Sequence, residues 1–85
     1  MEKFDYIIQD QLGLHARPAG MLVKIAQSCG SQIQVLMEGK TADAKRLFAL
    51  MSLSAKKNDR LTFMVEGEKE HEDCMRLKTF CRENL

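Results

Sequence analysis

The chain has 85 residues, 45% apolar and 29% charged, with 13 basic and 12 acidic side chains for a net charge of +1. A chain of this length buries only somewhat over roughly 60% of the surface its unfolded form exposes, so it has room for one domain, expected over residues 1–85, and for one small site. Separate cofactor and substrate domains are excluded, and neither the near-neutral charge nor any apolar run (a membrane span needs about 18 residues) suggests nucleic acid or membrane insertion.

Phe4, Tyr6 and Ile8 alternate along the first predicted strand, followed by a polar turn from Gln9 to Gly13. Pro18 stands just inside a helix whose inward face is Ala19, Leu22, Val23 and Ala26. Cys29-Gly30-Ser31 ends it, with Gly30 expected as a left-handed cap. Ile33, Val35 and Met37 mark the second strand; Glu38-Gly39 reads as a hairpin turn into a short strand from Lys40. A short helix is predicted over Ala44–Leu53, then a turn at Lys57-Asn58-Asp59 with Asn58 at positive φ. Leu61, Phe63 and Val65 form the fourth strand, and a last helix runs from about Lys69 to Glu83, acidic at its start with Arg82 near its end. The order β-α-β-β-α-β-α, with alternating strands, predicts an α+β open-faced sandwich. Its four-stranded, mainly antiparallel sheet is covered on one face by three helices.

Charge is uneven along the chain. Lys40–Arg60 holds six basic residues against two acidic ones, and Glu66–Asp73 five acidic residues against one basic one. A locally basic face suits an acidic partner surface. Cys29, Cys74 and Cys81 are odd in number and lack CxxC spacing, and no signal-peptide core follows Met1. Reduced thiols and a cytoplasmic setting are expected.

The segment that carries chemistry is Gly13-Leu14-His15-Ala16-Arg17-Pro18-Ala19. It places a histidine at the start of a helix, two residues before an arginine. The N–H groups of a helix's first turn have no intrahelical acceptor and favour an anion. An arginine beside them adds donors matched to phosphate oxygens. The positive helix end also disfavours a protonated ring, and a neutral imidazole is a nucleophile. Read from the residues alone, the constellation suits a phosphoryl or other anion site; a solvated helix-cap histidine is the plainer alternative.

This segment resembles the active-site signature of the HPr family, the histidine-containing phosphocarriers of the bacterial phosphotransferase system. The likeness extends over Gly39-Lys40, Lys45, Leu47-Phe48, Met51-Ser52-Leu53 and Glu66-Gly67-Glu68. It implies the same open-sandwich fold and phosphorylation of His15 at Nδ1 by phospho-Enzyme I, charged from phosphoenolpyruvate. Transfer to a histidine of an enzyme IIA component would follow. Arg17 and the backbone amides of Ala16 and Arg17 would hold the phosphate. Both partners would dock on an apolar centre of Leu14, Met21, Leu47, Phe48 and Met51, rimmed by Lys24, Lys45 and Arg46. The resemblance implies a carrier and not a turnover enzyme, with no cofactor and a monomeric state suited to shuttling. The alternative is a regulatory or nitrogen-related branch of the family that uses the same surface for protein binding.

The chain departs from the family pattern at several positions. Arg46 stands where many members carry a regulatory serine, so kinase control through that position is not expected. Ser54 replaces a glycine common after the second helix, and Gln27 and Ala49 replace residues that are often basic. Elsewhere, His71 and Cys74 are three apart on the last helix, but a metal needs three or four convergent donors, so no metal is expected. Cys74, Leu77, Phe80 and Cys81 read as that helix's core stripe, His71 as solvated. Met21, Met37, Met51, Met64 and Met75 are expected mostly in the core, with Met21 and Met51 available for docking.

Overall fold

The computed structural model describes residues 1–85. The elements are β1 (Glu2–Ile7), α1 (Ala16–Ser28), β2 (Gln32–Met37), β3 (Lys40–Asp43), α2 (Leu47–Met51), β4 (Arg60–Glu66) and α3 (Glu70–Asn84). The strands form one sheet in the order β1-β4-β2-β3, and every neighbouring pair is antiparallel. This is the α+β open-faced sandwich expected from the alternation.

The two central strands explain why one face is dry. Leu61, Phe63 and Val65 on β4 and Ile33 and Val35 on β2 are buried at every second position. Against them α1 packs Pro18, Ala19, Leu22 and Ala26, and α3 packs Cys74, Leu77, Phe80 and Cys81. Each fully buried leucine or phenylalanine contributes about 1.5–3 kcal/mol. The register sets Phe4 opposite Phe63, whose rings stack with centroids 4.7 Å apart. On the open face, Asp5 lies opposite Thr62 and accepts its hydroxyl hydrogen bond at 2.7 Å.

The turns follow local chemistry. Glu38 and Gly39 both adopt positive φ, as a two-residue hairpin with matching twist requires, and Asn58 does so at its own turn. The end of α1 differs from expectation. Gly30 is not left-handed; the helix stops because Cys29 turns extended, its N–H still donating to the Ala26 carbonyl. Side chains from α3 secure this end. Asp73, 5% exposed, accepts the Ser31 hydroxyl at 2.6 Å and the Ser31 N–H at 3.2 Å. Arg76 donates to the Ser28 hydroxyl at 2.7 Å. Burial would raise the Asp73 carboxyl, but the hydrogen bonds from Ser31 and Cys29 and the Arg76 guanidinium outweigh it and hold it below its usual value.

The second helix is shorter than the predicted Ala44–Leu53. Asp43 competes for the chain first: its carboxylate accepts the Lys45 N–H at 2.9 Å and its carbonyl the Arg46 N–H at 3.1 Å. Arg46 is extended, so helix begins only at Leu47. Of the methionines, only Met37 is buried, and Met75 is 50% exposed beside a hollow between α1 and α3. The apolar stripe of α3 is already complete without it. The three cysteines are free and buried, and burial pushes the Cys81 thiol up to about 12, so it is no nucleophile. No helix is long and apolar enough to cross a membrane.

Candidate functional site

The loop between β1 and α1 is shaped by backbone contacts. Gly13 sits at φ +67, and its N–H donates to the Asp10 carbonyl at 3.0 Å. A Cβ there would meet the Ala55 carbonyl oxygen and come within 2.8 Å of the Lys56 Cα, so the close approach requires glycine. Leu14 follows, with its N–H donating to the Ala55 carbonyl at 3.0 Å. Its side chain is 5% exposed and belongs to the core. Leu14 therefore does not join the exposed docking centre; it anchors the loop that presents the next residue.

That residue is His15, the N-cap of α1. Its backbone is extended, its side chain makes no capping hydrogen bond, and no acidic residue lies in the first helical turn. The ring is thus free for other work. Ala16 and Arg17 supply the N–H groups that lack an intrahelical acceptor; Pro18 has none, and Ala19 already donates to the His15 carbonyl at 3.0 Å. Proline inside the first turn removes a donor the helix would not have used. Arg17 is exposed and engages no carboxylate within salt-bridge distance. His15, Arg17 and Met21 share a depression of about 390 Å³ with Asp10 and Leu12. Asp10 Oδ2 lies 4.0 Å from His15 Nε2.

Exposed apolar side chains also lie on α1 and α2, two helices in contact with each other. Phe48 is 85% exposed, and Met21, Leu47 and Met51 are each partly open. Lys24 and Arg46 are exposed as well, Arg46 in a loose pair with Asp43 at 3.8 Å. Lys45 departs from the expected rim. It is half-buried, and its ammonium donates to the Cys29 carbonyl at 3.2 Å, where a cation complements the C-terminus of α1.

Sequence reasoning passed over four residues that line this depression: Glu83 and Asn84 on α3, for which nothing local gives a signal, and two in the loop. Leu12 is 72% exposed beside His15, and Asp10 faces the ring. An apolar residue inside a polar turn, and an aspartate two residues before it, are the signals that could have found them.

A family profile described as PTS HPr component phosphorylation site matches residues 2–83. The chain belongs to the HPr family. The phosphocarrier protein HPr of Lysinibacillus sphaericus is 37% identical over 83 residues, covering 98% of this chain and 94% of that one. A crystal structure of HPr-C-His from Thermoanaerobacter tengcongensis superposes with a TM-score of 0.92 at 32% identity, covering 96% of this chain and 92% of that one. An HPr dimer from the same organism gives a TM-score of 0.77 at 31% identity, over 98% and 95% of the two chains. HPr proteins are phosphocarriers of the phosphotransferase system and not turnover enzymes, and the system serves sugar transport.

Proposed function

We propose that this chain takes a phosphoryl group from phospho-Enzyme I, charged by phosphoenolpyruvate, onto Nδ1 of His15 and passes it to a histidine of an enzyme IIA component. The observation that carries this reading is the uncapped imidazole of His15 at the N-terminus of α1, beside the free N–H groups of Ala16 and Arg17. In the forward step the Nδ1 lone pair attacks phosphorus as the donor's P–N bond breaks, leaving that electron pair on the donor nitrogen. The helix N-terminus and the Arg17 guanidinium face the charge spread over the phosphoryl oxygens. Acceptance and release have similar energies, because one P–N bond replaces another. A relay needs that symmetry.

Phe48, Leu47, Met51 and Met21 form the apolar centre onto which acidic partners dock, with Lys24 and Arg46 at its rim. One surface with few anchors and cationic edges favours quick, weak encounters with several partners. The carrier works in the cytoplasm as a monomer. Arg46 accepts no phosphate, so control by serine phosphorylation at that position is absent. Gln27 and Ala49, where family members often carry basic residues, leave as the second reading a regulatory or nitrogen-related branch with different partners on the same face.

The test is intact mass after incubation with phosphoenolpyruvate and Enzyme I. One acid-labile phosphate is expected on the wild type and none on His15→Ala. Phosphate persisting on His15→Ala would overturn the assignment. Transfer onward to a sugar-specific enzyme IIA separates the sugar branch from the regulatory one.

A further inference from the structure

We infer that Asp10 is a positioning residue for His15: it holds the proton on Nε2 and thereby leaves Nδ1 as the nucleophile. Asp10 is fixed on three sides. Its N–H donates to the Leu85 carbonyl at 2.8 Å, its carbonyl accepts from Gly13 at 3.0 Å, and its Oδ1 accepts the Leu12 N–H at 2.8 Å. Only Oδ2 remains, and it lies 4.0 Å from His15 Nε2. The carboxylate is therefore aimed by the turn that carries it, independently of the helix that carries the histidine.

Of the two ring nitrogens, Nε2 is the one that lies beside a carboxylate, which favours an N–H there. The ring makes no capping hydrogen bond to the helix start. A neutral imidazole has one proton to place, so a proton kept on Nε2 leaves the lone pair on Nδ1.

The consequence for transfer rests on the carrier role proposed above. When Nδ1 bonds to phosphorus and the donor's P–N bond breaks, Nε2 keeps its proton and the ring becomes cationic. That charge appears within reach of Asp10 Oδ2, so the carboxylate favours the phosphorylated ring over the free one. For a pair one-third exposed at this separation, a twofold to fivefold effect on rate is the expected order, about what exposed ion pairs supply.

The test uses Asp10→Asn, which retains an oxygen for the Leu12 N–H, and Asp10→Ala, which does not. The ¹⁵N shifts of the His15 ring are read on unphosphorylated protein at alkaline pH, with His71→Gln as the background to remove the second histidine. The wild type should show predominantly the Nε2–H form. Asp10→Asn should shift the ring toward Nδ1–H and slow phosphorylation by roughly two- to fivefold. Ring shifts that are the same in the wild type and Asp10→Asn would overturn the inference. So would a slow Asp10→Ala beside a wild-type Asp10→Asn, since Asp10 would then serve only its turn. Failure of the wild type to accept phosphate would instead overturn the carrier role, and the ring spectra would still decide what Asp10 does.

Discussion

Gly13→Ala tests whether the His15 loop is held by the close approach of two backbones. At φ +67 an L residue costs about 1 kcal/mol in backbone strain. The new Cβ also collides with the Ala55 carbonyl and lies 2.8 Å from the Lys56 Cα, and neither is the end of a flexible side chain. The loop must lift away, and the Leu14 N–H, now bonded to Ala55 at 3.0 Å, loses its acceptor. A buried donor left unpaired costs about 1–3 kcal/mol. Together these give about 2–4 kcal/mol, a large share of the roughly 4–13 kcal/mol available to a chain of this size. At about 4–8 °C per kcal/mol, the melting temperature should fall by roughly 8–32 °C. Urea and thermal unfolding followed by circular dichroism measure this directly. Phosphorylation by Enzyme I, run cold where the variant remains folded, should also slow, because His15 lies two residues beyond the displaced turn. A loss below about 0.5 kcal/mol with unchanged phosphorylation would refute the argument that this approach shapes the site.

Phe48→Ala should leave stability within about 0.5 kcal/mol, since the ring is 85% exposed, yet weaken Enzyme I binding about tenfold by calorimetry. Equal affinity would remove Phe48 from the docking surface. Ser54 sits at φ +54, so Ser54→Gly should stabilise by about 0.5–1 kcal/mol in urea melts; destabilisation would mean that its left-handed conformation carries no strain. Asp73→Asn should cost about 1–2 kcal/mol at pH 7, through the loss of the charge-assisted bond from Ser31 and of the 4.0 Å ion pair with Arg76. The Asp73 carboxyl is held below its ordinary 3.8 in the fold, so its stabilisation is present above that value and is lost as pH falls through the lower folded value. The wild type should therefore lose stability below about pH 4 more steeply than Asp73→Asn, and parallel curves would contradict the assignment.

Much of this protein was legible along the chain because the deciding interactions are local. Alternation of Ile33, Val35 and Met37 and of Leu61, Phe63 and Val65 announces strands with one dry face, and the hairpin at Glu38-Gly39 and the turn at Asn58 follow from residues that tolerate positive φ. The motif around His15 was equally plain, since a helix start, a histidine and an arginine within three positions need no distant partner to be recognised. What sequence could not supply were the decisions made across the fold. Leu14 and Phe48 are both apolar and near functional residues, but the first is folded into the core, its N–H held by the Ala55 carbonyl, while the second is left open. Lys45 looks like any surface cation until the Cys29 carbonyl, 16 positions away, accepts its ammonium. Gly30 had the right residue type for a left-handed cap, yet the chain turned extended one residue earlier, at Cys29, and α3 secures that end through Asp73 and Arg76. Asp10 reaches His15 only because the turn at Gly13 folds the chain back on itself. Periodicity reports which face a side chain takes within its own element; whether that face is covered, and by what, is decided where elements distant in sequence meet.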